Sequence, residues 1–143
     1  MEIKQISIFL ENKKGRLAAI TNVLADNNIN IRALSLADTK EFGVLRIVVN
    51  EHTKCLNALK INGYAAQETY VIAVEVPDSP GGLCGILKLL EDNDHNVEYM
   101  YAMVEKNRNN AVVIFKIGDF KKAIELLKSN NVSIVNASVL KNL

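Results

Sequence analysis

The chain has 143 residues, 49% of them hydrophobic and 23% charged, with a formal net charge of +1. That is enough for one ordinary domain or two small ones of globular type, and it excludes disordered and fibrous classes. Near-neutral charge speaks against a nucleic-acid groove, which leaves a basic excess, and no apolar run approaches the ~20 residues of a membrane-spanning helix. The start, "MEIKQISIF", lacks the long apolar stretch and cleavage site of a signal peptide, so a cytoplasmic location is expected. Cys55 and Cys84 both fall in helix-like apolar patterns and are expected to be reduced and buried.

In chain order, Ile6, Ile8 and Leu10 alternate with polar neighbours, the period of a half-buried strand. Leu17, Ile20 and Leu24 follow helical spacing, and Asn27-Asn28 ends that helix. "INIRALSLA" predicts a strand, Thr39 to Gly43 a turn and "VLRIVV" another strand. Cys55, Leu56 and Leu59 mark a second helix, stopped by Asn62-Gly63, and Ala66 to Val71 a closing strand.

The second half reads the same way. Val74 and Val76 predict a strand, and Leu83, Ile86, Leu87 and Leu90 give an i, i+3, i+4, i+7 stripe. "NVEYMYAMV" and "AVVIFKI" predict strands around the polar hairpin "EKNRNN"; Phe120, Ala123, Ile124 and Leu127 make a further helix, and "VSIVNASVL" a last strand.

The two halves align directly. A shift of 66 positions brings Gly15 onto Gly81, Leu17 onto Leu83, Ile20 onto Ile86 and Asn30 onto Asn96; after a two-residue insertion, Lys54 meets Lys122 and Leu59 meets Leu127. We expect two repeats, 1–70 and 71–143, each ordered strand, helix, strand, strand, helix, strand. With right-handed crossovers that order gives the ferredoxin-like plan, an antiparallel α+β sheet with both helices on one face. No Pro/Gly/Ser-rich linker separates the halves, so the repeats are expected to be joined side by side.

Each repeat opens with an abrupt strand-to-helix join, "SIFLENKKGRLAAI" and "AVEVPDSPGGLCGIL". A helix start presents N–H groups without internal partners and a partial positive charge, suited to a carboxylate or phosphate. Gly15 and Gly81 let the backbone approach a ligand or take φ > 0. Asn12 and Asp78 are placed to cap the helix or to hold a ligand's ammonium. Lys13, Lys14 and Arg16 make the first loop the better carboxylate site, since Asp78 is the only charged residue of "PDSPGG". A glycine beside a polar residue at a helix start is also common scaffolding that binds only water.

These residues resemble the ACT domain, a βαββαβ unit whose first loop reads Asp/Glu-x-Pro-Gly-x-Leu and whose second strand opens Asn-Ile. The second repeat matches through Asp78-Ser79-Pro80-Gly81-Gly82-Leu83 and Asn96-Val97. The first reads Asn12-Lys13-Lys14-Gly15-Arg16-Leu17 and Asn30-Ile31, with Asn for the acid and Lys for the proline. The resemblance spans the whole chain and is strongest to small stand-alone tandem ACT proteins. It implies a non-catalytic sensor binding a free amino acid at the interface between ACT repeats, with contributions from the neighbouring unit's second strand. By position, one pocket would combine Asn12, Lys14, Gly15, Arg16 and Leu17 with Asn96, Tyr99 and Met100. The other would combine Asp78, Pro80, Gly81, Gly82 and Leu83 with Asn30. The expected partners are a free amino acid and either a second copy or a regulated protein; no cofactor and no metal is expected.

Other classes find less to build on. His52 and His95 have no nucleophile or carboxylate partner by spacing and read as solvated loop residues. Cys55 and Cys84 are too far apart for a C-x-x-C motif. Arg16 and Asn12 could pose as an acylphosphatase pair, but the rest of that loop is missing. An RNA-recognition sheet would need aromatics in its central strands, and "VLRIVV" has none. A module for protein interaction alone, without a ligand, is the competing expectation.

Overall fold

The computed structural model describes residues 1–103 and 110–141. Its elements are β1 (Ile3–Glu11), α1 (Arg16–Asp26), β2 (Ile31–Asp38), β3 (Phe42–Val49), α2 (His52–Ile61), β4 (Ala65–Val76), α3 (Gly82–Asp92), β5 (Val97–Ala102), β6 (Ala111–Ile117), α4 (Phe120–Ser129), β7 (Ile134–Val135) and α5 (Ala137–Lys141). The chain forms two compact units, a first of Lys4–Thr69 with Lys141 and a second of Tyr70–Leu140 with Met1–Ile3, so β4 gives its first residues to one and its last to the other.

In the first unit the strand order is β2-β3-β1-β4, with β3 antiparallel to both β1 and β2. Ile6 lies opposite Ile47, and Ile8 opposite Leu45. The inward side chains of β1 and β3 therefore share one face with Ile20 and Leu24 of α1 and with Cys55 and Leu59 of α2. Both helices cover that face. The second unit repeats the plan as β5-β6-β4-β7, with Ile72 opposite Phe115 and Val74 opposite Val113. Its core joins Ile72, Val74 and Phe115 to Ile86 and Leu90 of α3 and to Ala123, Ile124 and Leu127 of α4. This is the α+β, ferredoxin-like architecture that the strand and helix periods predict.

One device ends all four long helices. Asn27, Asn62, Asn93 and Asn130 each donate Nδ2 to the carbonyl four residues back, at 2.7–2.9 Å. The next residue is left-handed: Asn28 (φ 55°), Gly63 (φ 82°), Asp94 (φ 61°) and Asn131 (φ 60°). The residue after it donates back into the last turn, as Ile29 does to Leu24 O and Val132 to Leu127 O. That is the Schellman pattern, and Ile29–Leu24 and Tyr64–Leu59 add its apolar contact within the core.

Two elements differ from expectation. The separate strands expected at 66–71 and 74–76 are one continuous strand, β4, because nothing between them breaks the extended backbone. The closing strand is only Ile134–Val135, and the chain then turns helical at Ala137. Asn136 causes the change: its Oδ1 accepts from Ser138 N at 3.1 Å and its carbonyl from Val139 N at 3.0 Å, offering the backbone a turn in place of a ladder. The hairpin expected at 105–110 lies, except for Asn110, outside the described residues.

Candidate functional site

The two strand-to-helix loops have the same backbone. Gly15 (φ 88°, ψ −10°) and Gly81 (φ 85°, ψ −6°) precede α1 and α3 in the left-handed region, where a side chain is strained. A Cβ at either would meet nothing within 4 Å, so both are glycine for conformation rather than for space. The first helical amide of each helix closes a turn inside the loop, Arg16 N to Lys13 O at 3.2 Å and Gly82 N to Ser79 O at 3.0 Å. The next two amides, of Leu17 and Ala18 in one loop and of Leu83 and Cys84 in the other, have no partner among the described residues. They are the groups that remain for an anion.

Asn12 and Asp78 do not cap these helices, as was one expectation for them; neither helix has a side-chain cap. Asn12 instead binds the β2–β3 turn, its amide donating to Glu41 O at 2.9 Å and its Nδ2 to Thr39 O at 3.4 Å. The left-handed glycine turns the chain before a side chain three residues earlier can reach the helix start. Asp78 and Pro80 are exposed in the second loop.

Charge separates the loops. Lys13 Nζ lies 2.8 Å from Glu11 Oε2, and this bond holds the Glu11 carboxyl below its ordinary range. Lys14 and Arg16 have no carboxylate partner among the described residues, so the first loop keeps net positive charge beside its free amides. Leu17 stands partly out of the core, whereas Leu83 packs against the core of its unit.

The second-strand residues, expected to serve the neighbouring unit's loop, lie in their own unit at the end of the helix away from its loop. Asn96 sits beyond the far end of α3, whose 11 residues span about 16 Å. There it lines a cleft of about 270 Å³ with Asp94, His95, Glu98 and Asp119. Asn30 is placed alike beyond α1, its amide donating to Asn50 Oδ1 at 3.0 Å. Tyr99 is half-buried and Met100 exposed on β5. A larger cleft, of about 440 Å³, lies beside Gly82 between α3 and the α4–β7 turn.

Two expectations are corrected. Cys84 is exposed, because it sits just off the Leu83, Ile86, Leu87, Leu90 stripe; Cys55 is buried, and burial pushes its thiol up to about 11. His52 is not a solvated loop residue: it opens α2 and its Nε2 lies 2.6 Å from Glu68 Oε2 on β4. The strand brings in a carboxylate from 16 residues away, which local spacing does not reveal. Among the described residues no group of three or more His, Cys, Asp or Glu is placed to hold a metal, and no helix is long and apolar enough to cross a membrane.

Over residues 1–143 the chain matches the family described as "ACT domain pair". It belongs to that family. This ACT pair is 42% identical to protein BT0572 from Bacteroides thetaiotaomicron, across 100% of this chain and 98% of that one, with a TM-score of 0.93. It also shares its fold with the regulatory subunit of aspartate kinase from Thermus thermophilus, in the ligand-free form, at 15% identity over 88% of this chain and 91% of that, TM-score 0.64. The corresponding subunit from Thermus flavus is 13% identical over 90% and 92%, TM-score 0.62. No curated protein matches.

Proposed function

We propose that this ACT pair is a non-catalytic cytoplasmic sensor that binds a free amino acid and regulates a partner or pathway, with repeats 1–70 and 71–143 as its sensing modules. The observation that carries the proposal is the duplicated loop: a left-handed glycine followed by two amides without partners, beside Lys14 and Arg16 in the first copy. Helix-start dipole and side-chain charge add there, which favours a ligand carboxylate. Asn12, Lys14, Gly15, Arg16 and Leu17 form the first recognition loop, and Asp78, Pro80, Gly81, Gly82 and Leu83 the second. Asn30, Asn96, Tyr99 and Met100 are the proposed second-strand contributors. The fold shared with regulatory subunits of aspartate kinase supports a regulatory role.

A thermal-shift screen of free amino acids on the intact chain tests this. A ligand at 100 times its Kd stabilises the fold by about 2.7 kcal/mol and raises Tm by roughly 5–10 °C. One or a few amino acids are expected to do so, and Gly15→Val, by straining the left-handed position, to abolish the response. A flat profile at millimolar concentration removes the proposal.

A protein-interaction role is favoured by one separate observation. Phe9, Phe42, Ala37 and Val44 line an apolar groove of about 260 Å³ at one end of the first unit's sheet, with Phe42 60% exposed. A flat amino-acid screen together with concentration-dependent self-association would support that reading.

A further inference from the structure

The sheet of the first unit has one face under its helices and one face away from them. Leu10 and Leu45 point into the core with α1 and α2, so their chain neighbours Phe9 and Val44 point the other way. Val44 lies opposite Phe9 on one side and opposite Ala37 on the other, a row across three strands. Phe42 comes two residues before Val44, on the same face of β3. With Asp38 these side chains line the groove of about 260 Å³, and every described lining residue lies in the first unit and outside both sensing loops.

The scaffold does not call for these rings. Phe9 is 46% and Phe42 60% exposed, and at the aligned positions the second unit has Glu75 and Asn110. Aromatic side chains that the fold leaves in water and does not repeat point to a contact surface. Phe42 is also held ready for one. Thr39 N donates to Phe42 O at 2.7 Å, and Phe42 N to Thr39 Oγ1 at 3.2 Å, closing the β2–β3 turn at its base. Little ordering cost remains to be met on binding.

Charge decides what covers this face. Asp38 stands at the end of the groove, and Lys40 follows in the turn; both are exposed and neither side chain has an ion pair among the described residues. The patch thus offers an apolar centre with one free acid and one free base at its rim. A two-fold interface sets a patch against itself, residue i on j and j on i. That arrangement would place rings on rings and Asp38 on Lys40 of the second copy, twice. The chain's net charge of +1 adds little repulsion between copies.

We propose that this sheet face binds a second copy of the chain about a two-fold axis, with Phe9 and Phe42 at the centre and Asp38 paired across the axis with Lys40. The inference deepens the protein-interaction reading and rests on it. So small a patch falls well short of the about 20–30 residues a side of a standard interface, so the dimer is weak and exchanges with the monomer.

Sedimentation equilibrium of the intact chain between about 10 µM and about 1 mM tests this. The average mass is expected to climb from one chain toward two across that range. Phe42→Ser is expected to hold it at one chain throughout, at an unchanged Tm because the ring is exposed. Asp38→Lys is expected to weaken the dimer about tenfold or more by opposing like charges, and Asp38→Lys combined with Lys40→Asp to restore it. The proposal is overturned if the parent stays at one chain up to the highest concentration, if Phe42→Ser associates like the parent, or if the double reversal does not recover what the single one loses. Association that survives in Phe42→Ser would remove this face and leave the interaction reading standing, whereas a parent that never associates would remove both.

Discussion

The two loops have nearly the same backbone angles and quite different chemistry. In the first, β1 runs to Glu11, which pairs with Phe42; in the second, β4 stops one aligned residue earlier, at Val76, because Pro77 has no N–H for the ladder. Freed from the sheet, the Pro77 carbonyl comes so close to residue 82 that a Cβ there would lie 2.1 Å from it. The first loop has Arg16 at that position. One copy therefore keeps its charge and the other gives up a side chain for a tight backbone contact. Duplication preserved the turn and left the surroundings free to diverge.

The helices that follow diverge similarly. Where α2 opens with His52 bound to Glu68, α4 opens with Phe120, its ring 5.3 Å from that of Tyr70. A histidine–carboxylate hydrogen bond in one unit stands where an aromatic contact stands in the other.

These contrasts can be broken or sharpened by experiment. Thiol labelling is expected to give the largest effect: Cys84 should react readily in the native protein, and Cys55 on the order of a thousandfold more slowly, through unfolding. Comparable rates would mean that the first core is not closed. Leu24→Ala and Leu90→Ala, aligned and almost fully buried, should each cost about 2–5 kcal/mol in denaturant titrations. A clear inequality between them would show the two cores to be packed to different standards. Gly82→Ala should cost about 2 kcal/mol or more, because a backbone oxygen must move, whereas Arg16→Ala should stay within about 0.5 kcal/mol. Equal effects would erase the proposed difference between the loops.

The smallest expected effect is acid sensitivity. The hydrogen bond from His52 holds the Glu68 carboxyl below its ordinary range. A depressed carboxylate adds stability above its unfolded pKa and loses it as pH falls through the folded value. Between about pH 5 and 3 the parent should therefore lose stability more steeply than Glu68→Gln, read as thermal midpoint against pH. Parallel curves would leave the contact without thermodynamic weight.

Periods of 2 and 3.6 made the order of elements legible, and the shift of 66 exposed the duplication. A positive φ was one of the two uses the sequence left open for Gly15 and Gly81, and both glycines adopt it. What local pattern could not show was pairing across distance. Glu68 reaches His52 only once β4 lies beside α2, and Asn12 finds the β2–β3 turn only after the sheet has formed. Asn136 also hid its effect, because "VSIVNASVL" has strand-like composition on both sides of the residue that redirects the chain. The cleft beside α3 was invisible for a related reason: a void is defined by missing side chains on separate elements.

The unbroken β4 carries one further consequence. Ala66 packs against the first core, and Ile72, Val74 and Val76 belong to the second, all of them at even positions of a single strand. Each half therefore reads the alternation of its own stretch of β4: inserting or deleting one residue between Ile72 and Val76 would turn part of that set of side chains away from the second core.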